Sequence, residues 1–202
     1  MLTPIFIIQL GKTCDTLKCS FHLLLGDNFY LEPTHDPVEH DGVNGTSDVQ
    51  WNTIYRRVYT AASLNIPFFA ILGNHDYYAG AVPQAEILYT RLNLDNRWNM
   101  PDHNYTLIYT IPGSSQTLQL VFIDTPRISP KTSSTINPSN YLTLQAEAIA
   151  WLKQTLAAST ATYLIVCGHY HSEYIYSQRH MILVFGSGGM LTSYVFIFVS
   201  LL

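Results

Sequence analysis

Seven residues of this 202-residue chain could do chemistry together: Asp27, Asn28, Tyr30, Asn74, His75, His169 and His171. They fall in three polar signatures, Gly26-Asp27-Asn28-Phe29-Tyr30, Gly73-Asn74-His75-Asp76 and Gly168-His169-Tyr170-His171, each directly after an apolar run. Oxygen donors mixed with imidazole nitrogens suit zinc, iron or manganese, whereas magnesium and calcium prefer oxygen alone. No cysteine joins the set except the neighbouring Cys167, which argues against a structural zinc site. Singly, each signature also reads as a turn, since Asp and Asn bond nearby backbone amides. A His-x-His pair at a strand end is as often structural as ligating. In succession, each at the end of an apolar run, the signatures point to a metal site.

Such residues need a scaffold. Residues 21–25 (FHLLL), 68–72 (FFAIL) and 163–167 (YLIVC) are short continuous apolar runs, as expected of strands buried on both faces. Open α/β sheets build their sites just past the carboxyl ends of such strands. Ser47-Asp48-Val49-Gln50 fits a capping box, followed by Trp51, Ile54, Tyr55, Val58, Tyr59 and Ala62 at helical spacing. Residues 140–158 read as a second helix with Leu144, Ala148, Trp151, Leu152 and Leu156 on one face, and residues 85–92 as a shorter one. Segments 105–111 and 118–124 read as a hairpin around Gly113-Ser114-Ser115. The alternation predicts one α/β domain, 1–202, with a mixed sheet.

Composition is that of a globular protein, 48% apolar with 12% charged and 13% aromatic residues. A net charge of −4 without a basic run argues against nucleic acid or an anionic membrane as the main partner. Phosphate substrates stay open, because bound cations reverse the local field. Cys14, Cys19 and Cys167 form no disulfide framework; Cys14 and Cys19 could pair locally, but all three are expected as small buried hydrophobes. Asn44-Gly45-Thr46 and Asn104-Tyr105-Thr106 are glycosylation acceptors only in a secreted chain. The start MLTPIFIIQL lacks a basic region and a cleavage site and makes a poor signal peptide. The tail from residue 190, of about 13 residues, falls short of the ~20 that span a bilayer, so no membrane span is secure.

The three signatures resemble successive motifs of the calcineurin-like metallophosphoesterases. Tyr30, three residues after Asp27, narrows the likeness to the purple acid phosphatases, the tartrate-resistant type included. Phe185-Gly186-Ser187-Gly188-Gly189 resembles the family's late small-residue loop. The likeness runs over about 11–190 and leaves 1–10 and 191–202 as apolar ends. It implies an αββα mixed-sheet sandwich and hydrolysis of phosphate monoesters, either small esters or phosphoproteins. It implies a dinuclear centre of iron with iron, zinc or manganese. On the matching positions, Asp27 would bridge the metals, Tyr30 would bind iron as phenolate, and Asn74 would hold the divalent metal. His169 would serve the divalent metal in one alignment and His171 the iron in another. His75 would stay off the metals and protonate the leaving alkoxide. The family suggests a secretory or lysosomal destination.

Two departures accompany the likeness. The family has an earlier aspartate on a first strand, whereas Asp15 lies in what reads as the tail of a helix. The family's two separate histidine motifs are merged into one here, as if a strand and a helix between them were lost, so the sandwich is expected to be incomplete. A metal site that is weak, mononuclear or empty would result. The alternative to the phosphatase is therefore a catalytically inactive, truncated form. A nuclease or phosphodiesterase is disfavoured by Tyr30. His35, His40, His103 and His180 match no motif, and His22 is expected to be packed in a strand.

Overall fold

The structure, a computed structural model, describes residues 4–30, 41–78, 84–129, 140–170 and 182–185. The chain opens with helix α1 (Pro4–Leu17), which contains Asp15 as expected. Strands β1 (His22–Leu25), β2 (Phe68–Ile71) and β3 (Trp98–Asn99) form a three-stranded parallel sheet in that order. Helix α2 (Gln84–Arg91) lies between β2 and β3 in the chain. The second sheet is mixed. Strands β4 (Tyr105–Thr110) and β5 (Thr117–Phe122) form the expected antiparallel hairpin. After a short helix α3 (Thr125–Ile128) and the long helix α4 (Tyr141–Ala158), β6 (Tyr163–Cys167) and β7 (Ile182–Phe185) add in parallel.

The two sheets face each other across one core. Every residue of β1 and β2 is buried, as the continuous apolar runs required. Period-two alternation divides β5 between two layers. Leu120 and Phe122 enter the core between the sheets, while Val121, with Ile123 just beyond the strand, packs under α4 beside Leu152, Leu164 and Val166. Tyr105 stacks on Phe122 at 4.3 Å and donates its hydroxyl to the Ala70 carbonyl at 2.7 Å, joining hairpin to first sheet. On the far side of that sheet, Trp51 stacks on Tyr89 at 3.6 Å and meets Trp98 edge-on at 5.0 Å. Ile7, Leu10 and Cys14 of α1 bury against the same core. The layers run helix, sheet, sheet, helix, which is the α/β sandwich expected.

Three sequence expectations are corrected. Ser47 does not cap a helix; Asp48 accepts from the Gln50 and Asn44 amides, both at 2.8 Å, and the Gln50 side chain turns to the Gly42 carbonyl at 2.6 Å. Asp48 wins because a carboxylate offers two acceptors where serine has one hydroxyl. Beyond it the chain makes a π-helical turn, Trp51–Arg56, and then a 3-10 turn, Ala62–Leu64, rather than one α-helix across the aromatic repeat. The indole of Trp51 bonds the Gly45 carbonyl at 3.0 Å, and Arg97 holds the Tyr59 carbonyl at 2.8 Å. Tertiary anchors at both ends thus override local propensity. Finally, Cys14 and Cys19 are not free thiols but a disulfide tying the end of α1 to the loop before β1; Cys167 is free and buried. His22 is packed, as expected, 2% exposed and against Phe68. No helix among the described residues is long and apolar enough to cross a membrane. His35, His40, His171, His180 and the glycine loop after Phe185 lie outside the described residues, as do 1–3 and 191–202 of the apolar ends.

Candidate metal centre

Two loops, one after β1 and one after β2, must cross closely for Asp27 and Asn74 to meet. Glycine makes the crossing possible. A Cβ on Gly26, whose φ is 89°, would stand 2.6 Å from the Gly73 nitrogen and 2.8 Å from His169 Nδ1. A Cβ on Gly73 would collide with the Asp27 carboxylate. Asp27 itself is left-handed at φ 56°, a conformation that Asp tolerates better than most residues and that aims its side chain back across the crossing.

Asp76 locks the crossing. Its carboxylate is 1% exposed and accepts from Gly73 N at 2.7 Å, Asn28 N at 2.8 Å and Phe29 N at 3.3 Å. Burial, reinforced by the nearby Asp27 charge, pushes its pKa up to about 8 against the opposing pull of those backbone amides. The Asn28 amide extends the lock to Glu86 Oε2 at 3.0 Å and the Ile71 carbonyl at 2.9 Å. Asn28 is thus structural, turned away from the other candidate ligands.

Around this lock three donor atoms converge. His169, 3% exposed at the end of β6, donates Nδ1–H to the Leu25 carbonyl at 2.9 Å. That bond fixes the tautomer and leaves the Nε2 lone pair facing Asn74 Oδ1 at 3.1 Å and Asp27 Oδ1 at 3.4 Å. Burial lowers the His169 pKa and so favours the neutral ring, although Asp27 and the Leu25 bond oppose the shift. Asn74 spends its Nδ2 on the Tyr78 hydroxyl at 3.1 Å, which keeps its oxygen turned inward. A lone pair facing two oxygens is repelled unless a cation lies among them, and this donor set fits a borderline divalent metal. Tyr30 donates its hydroxyl to the other Asp27 oxygen, Oδ2.

His75 stands at the rim. Its backbone N–H donates to Asp27 Oδ1 at 3.0 Å, while its ring meets Asp41 Oδ2 at 2.5 Å and packs on Tyr30 and Tyr78. The ring lies outside the convergence of His169, Asn74 and Asp27. Of the residues singled out from sequence, the structure brings together Asp27, Tyr30, Asn74, His75 and His169. Sequence reading missed Asp41, the Asp76 lock, and a buried group one layer away. There Asp124 takes the Tyr77 hydroxyl and His103 Nδ1, the latter at 2.8 Å, and Thr125 Oγ1 accepts from Tyr170 N at 2.8 Å. Asp124 follows an apolar strand just as the other signatures do, and that signal could have found it. Asp15, by contrast, is exposed and pairs with Lys18 at 3.5 Å. Among the described residues no cluster of three or more His, Cys, Asp or Glu forms a metal site; the convergent set has two such residues, completed by an amide.

The sequence profile of the calcineurin-like phosphoesterases matches residues 10–195. The chain belongs to that family. It is 32% identical to rabbit (Oryctolagus cuniculus) tartrate-resistant acid phosphatase type 5 over 168 residues, which cover 80% of this chain and 47% of that one. It is 28% identical to purple acid phosphatase 3 of Arabidopsis thaliana over 195 residues, or 87% of this chain and 47% of the relative. The chain thus spans about half the length of these relatives. Its fold is shared with a Plasmodium protein described as GAP50, the anchor in the inner membrane complex, at a TM-score of 0.61 and 24% identity, over 81% of this chain and 48% of that structure.

Proposed function

We propose that this phosphoesterase chain hydrolyses phosphate monoesters in the manner of an acid phosphatase. The observation that carries the reading is the convergence on His169 Nε2, which has Asn74 Oδ1 and Asp27 Oδ1 both within 3.4 Å, with a histidine at the rim. Asp27, Asn74 and His169 would hold one divalent cation, and Tyr30 with the second Asp27 oxygen would serve an iron. Bound metal would supply charge for the phosphoryl oxygens and acidify water. The rest is work of the chain. Asp76 keeps both loops in register, the Leu25 carbonyl presents the correct nitrogen of His169, and Asp41 orients the His75 ring. His75, with its side chain 31% exposed at the rim, would give a proton to the departing alkoxide. Small phosphate esters or phosphoproteins are the substrates that the family membership suggests.

A second reading, a catalytically inactive chain, draws on the position of Asp15. An exposed helical aspartate supplies no carboxylate to the centre, so the described donors suffice for one cation and leave a second short of ligands. Metal content after expression with iron and zinc, measured beside p-nitrophenyl phosphate turnover at acid pH, separates the two. About two metals per chain with turnover supports the dinuclear phosphatase. One metal without turnover leaves the inactive reading, and no metal at all removes both the centre and the activity.

A further inference from the structure

The two Asn-x-Thr tripeptides of the sequence occupy opposite environments. Asn44 is exposed, in the loop before the π-helical turn. The backbone of this loop is satisfied from within: Asn44 N donates to Asp48 Oδ2 at 2.8 Å, and the Gly45 carbonyl accepts from the Trp51 indole at 3.0 Å. A Cβ added to Gly45 would meet nothing within 4 Å, so the middle of the tripeptide stands in open space. Asn104 is knitted into the fold instead. Its Oδ1 accepts from Asp124 N at 2.9 Å, and Tyr105 is buried against Phe122. The Thr106 hydroxyl is spent on the Leu120 carbonyl and the Gln119 amide, both at 2.9 Å. An independent feature agrees with modification: a Cys14–Cys19 disulfide suits an oxidising environment, the one in which such tripeptides are modified.

We propose that Asn44 carries an N-linked glycan in the folded protein and that Asn104 does not. In the transfer, the Asn44 Nδ2 nitrogen displaces the diphosphate of a polyprenol-linked oligosaccharide. A C1–N bond forms, the C1–O bond to the diphosphate breaks, and the amide nitrogen loses one proton. Transfer acts on the nascent chain, so the structure decides which modified chain can fold. A glycan on Asn44 extends into solvent beside Gly45. One on Asn104 would hang from the nitrogen of a half-buried amide whose oxygen is committed to Asp124 N, beside the buried Tyr105 and Asp124.

The test is expression of the full chain behind a signal peptide in eukaryotic cells, with amidase deglycosylation and peptide mass spectrometry. One glycan is expected on secreted protein, absent from Asn44→Gln and Thr46→Ala and retained by Asn104→Asp, which keeps the oxygen acceptor. The internal membrane fraction is read in the same way, so poor secretion of a variant does not hide the result. A chain without glycan, or a glycan that survives Asn44→Gln and vanishes in Asn104→Asp, overturns the proposal.

Discussion

At the residue scale the proposed centre depends on what holds each candidate ligand as much as on the ligand. His169 can offer Nε2 because its other nitrogen is committed to a carbonyl, and Asn74 can offer oxygen because its nitrogen is committed to Tyr78. Replacing His169 by Ala is expected to reduce bound metal to near zero, read by elemental analysis, while Tyr78→Phe lowers metal affinity roughly tenfold through the freed amide. Asp41 meets the His75 ring at 2.5 Å, so its expected effect is kinetic. Asp41→Asn should lower kcat by about 10- to 100-fold with KM and metal content kept, whereas His75→Asn should lower kcat by about 10²- to 10⁴-fold. A fall in metal content with Asp41→Asn would show that it supports the ligands instead.

At the element scale, the site exists because β1 and β2 are parallel neighbours in register, Leu25 beside Ile71, so that their following loops collide unless glycine and Asp76 manage the crossing. Asp76→Asn keeps the shape but replaces a two-oxygen acceptor with one, leaving buried backbone amides short of a partner. A cost of about 1–3 kcal/mol in urea unfolding is expected, together with weaker metal binding. Much of this was legible in the chain. The continuous apolar runs gave β1, β2 and β6, and the signature after each placed Asp27, Asn74, His75 and His169 together. The hairpin and α4 followed from their periodicity, and α4 begins at Tyr141, within one residue of the start read from the chain. The parts that stayed hidden depend on distant partners. Asp41 reaches His75 from 34 residues away, and Asp76 gains its role only from the β1 loop 48 residues upstream. No local pattern announces either. The aromatic repeat from Trp51 looked helical for a sound reason, its spacing, yet anchors at Gly45 and Arg97 turned it into a widened turn.

At the scale of the whole molecule, stability should respond to acid and to metal. Burial lowers the His22 pKa to about 4 from an ordinary 6.5. The unfolded chain therefore binds the extra proton first, and stability from the neutral ring is present above pH 6.5 and lost as pH falls toward 4. Against His22→Leu, which cannot titrate, the native chain should lose roughly 3 kcal/mol of relative stability across that window, measured by denaturant unfolding at each pH. A cation that binds only the folded chain should raise stability by about 2.7 kcal/mol at a hundredfold excess over its Kd, and chelation should remove that gain. Both experiments have a built-in optical readout. Trp51 and Trp98 are buried in one cluster, each indole committed to a backbone carbonyl, at Gly45 and Glu86 respectively. Their edge-on approach at 5.0 Å couples the two chromophores, and the stacked Tyr89 ring adds a third. Near-ultraviolet circular dichroism should therefore carry an exciton signature of the intact layer beneath the first sheet, and its loss would mark unfolding of that layer without any attached dye.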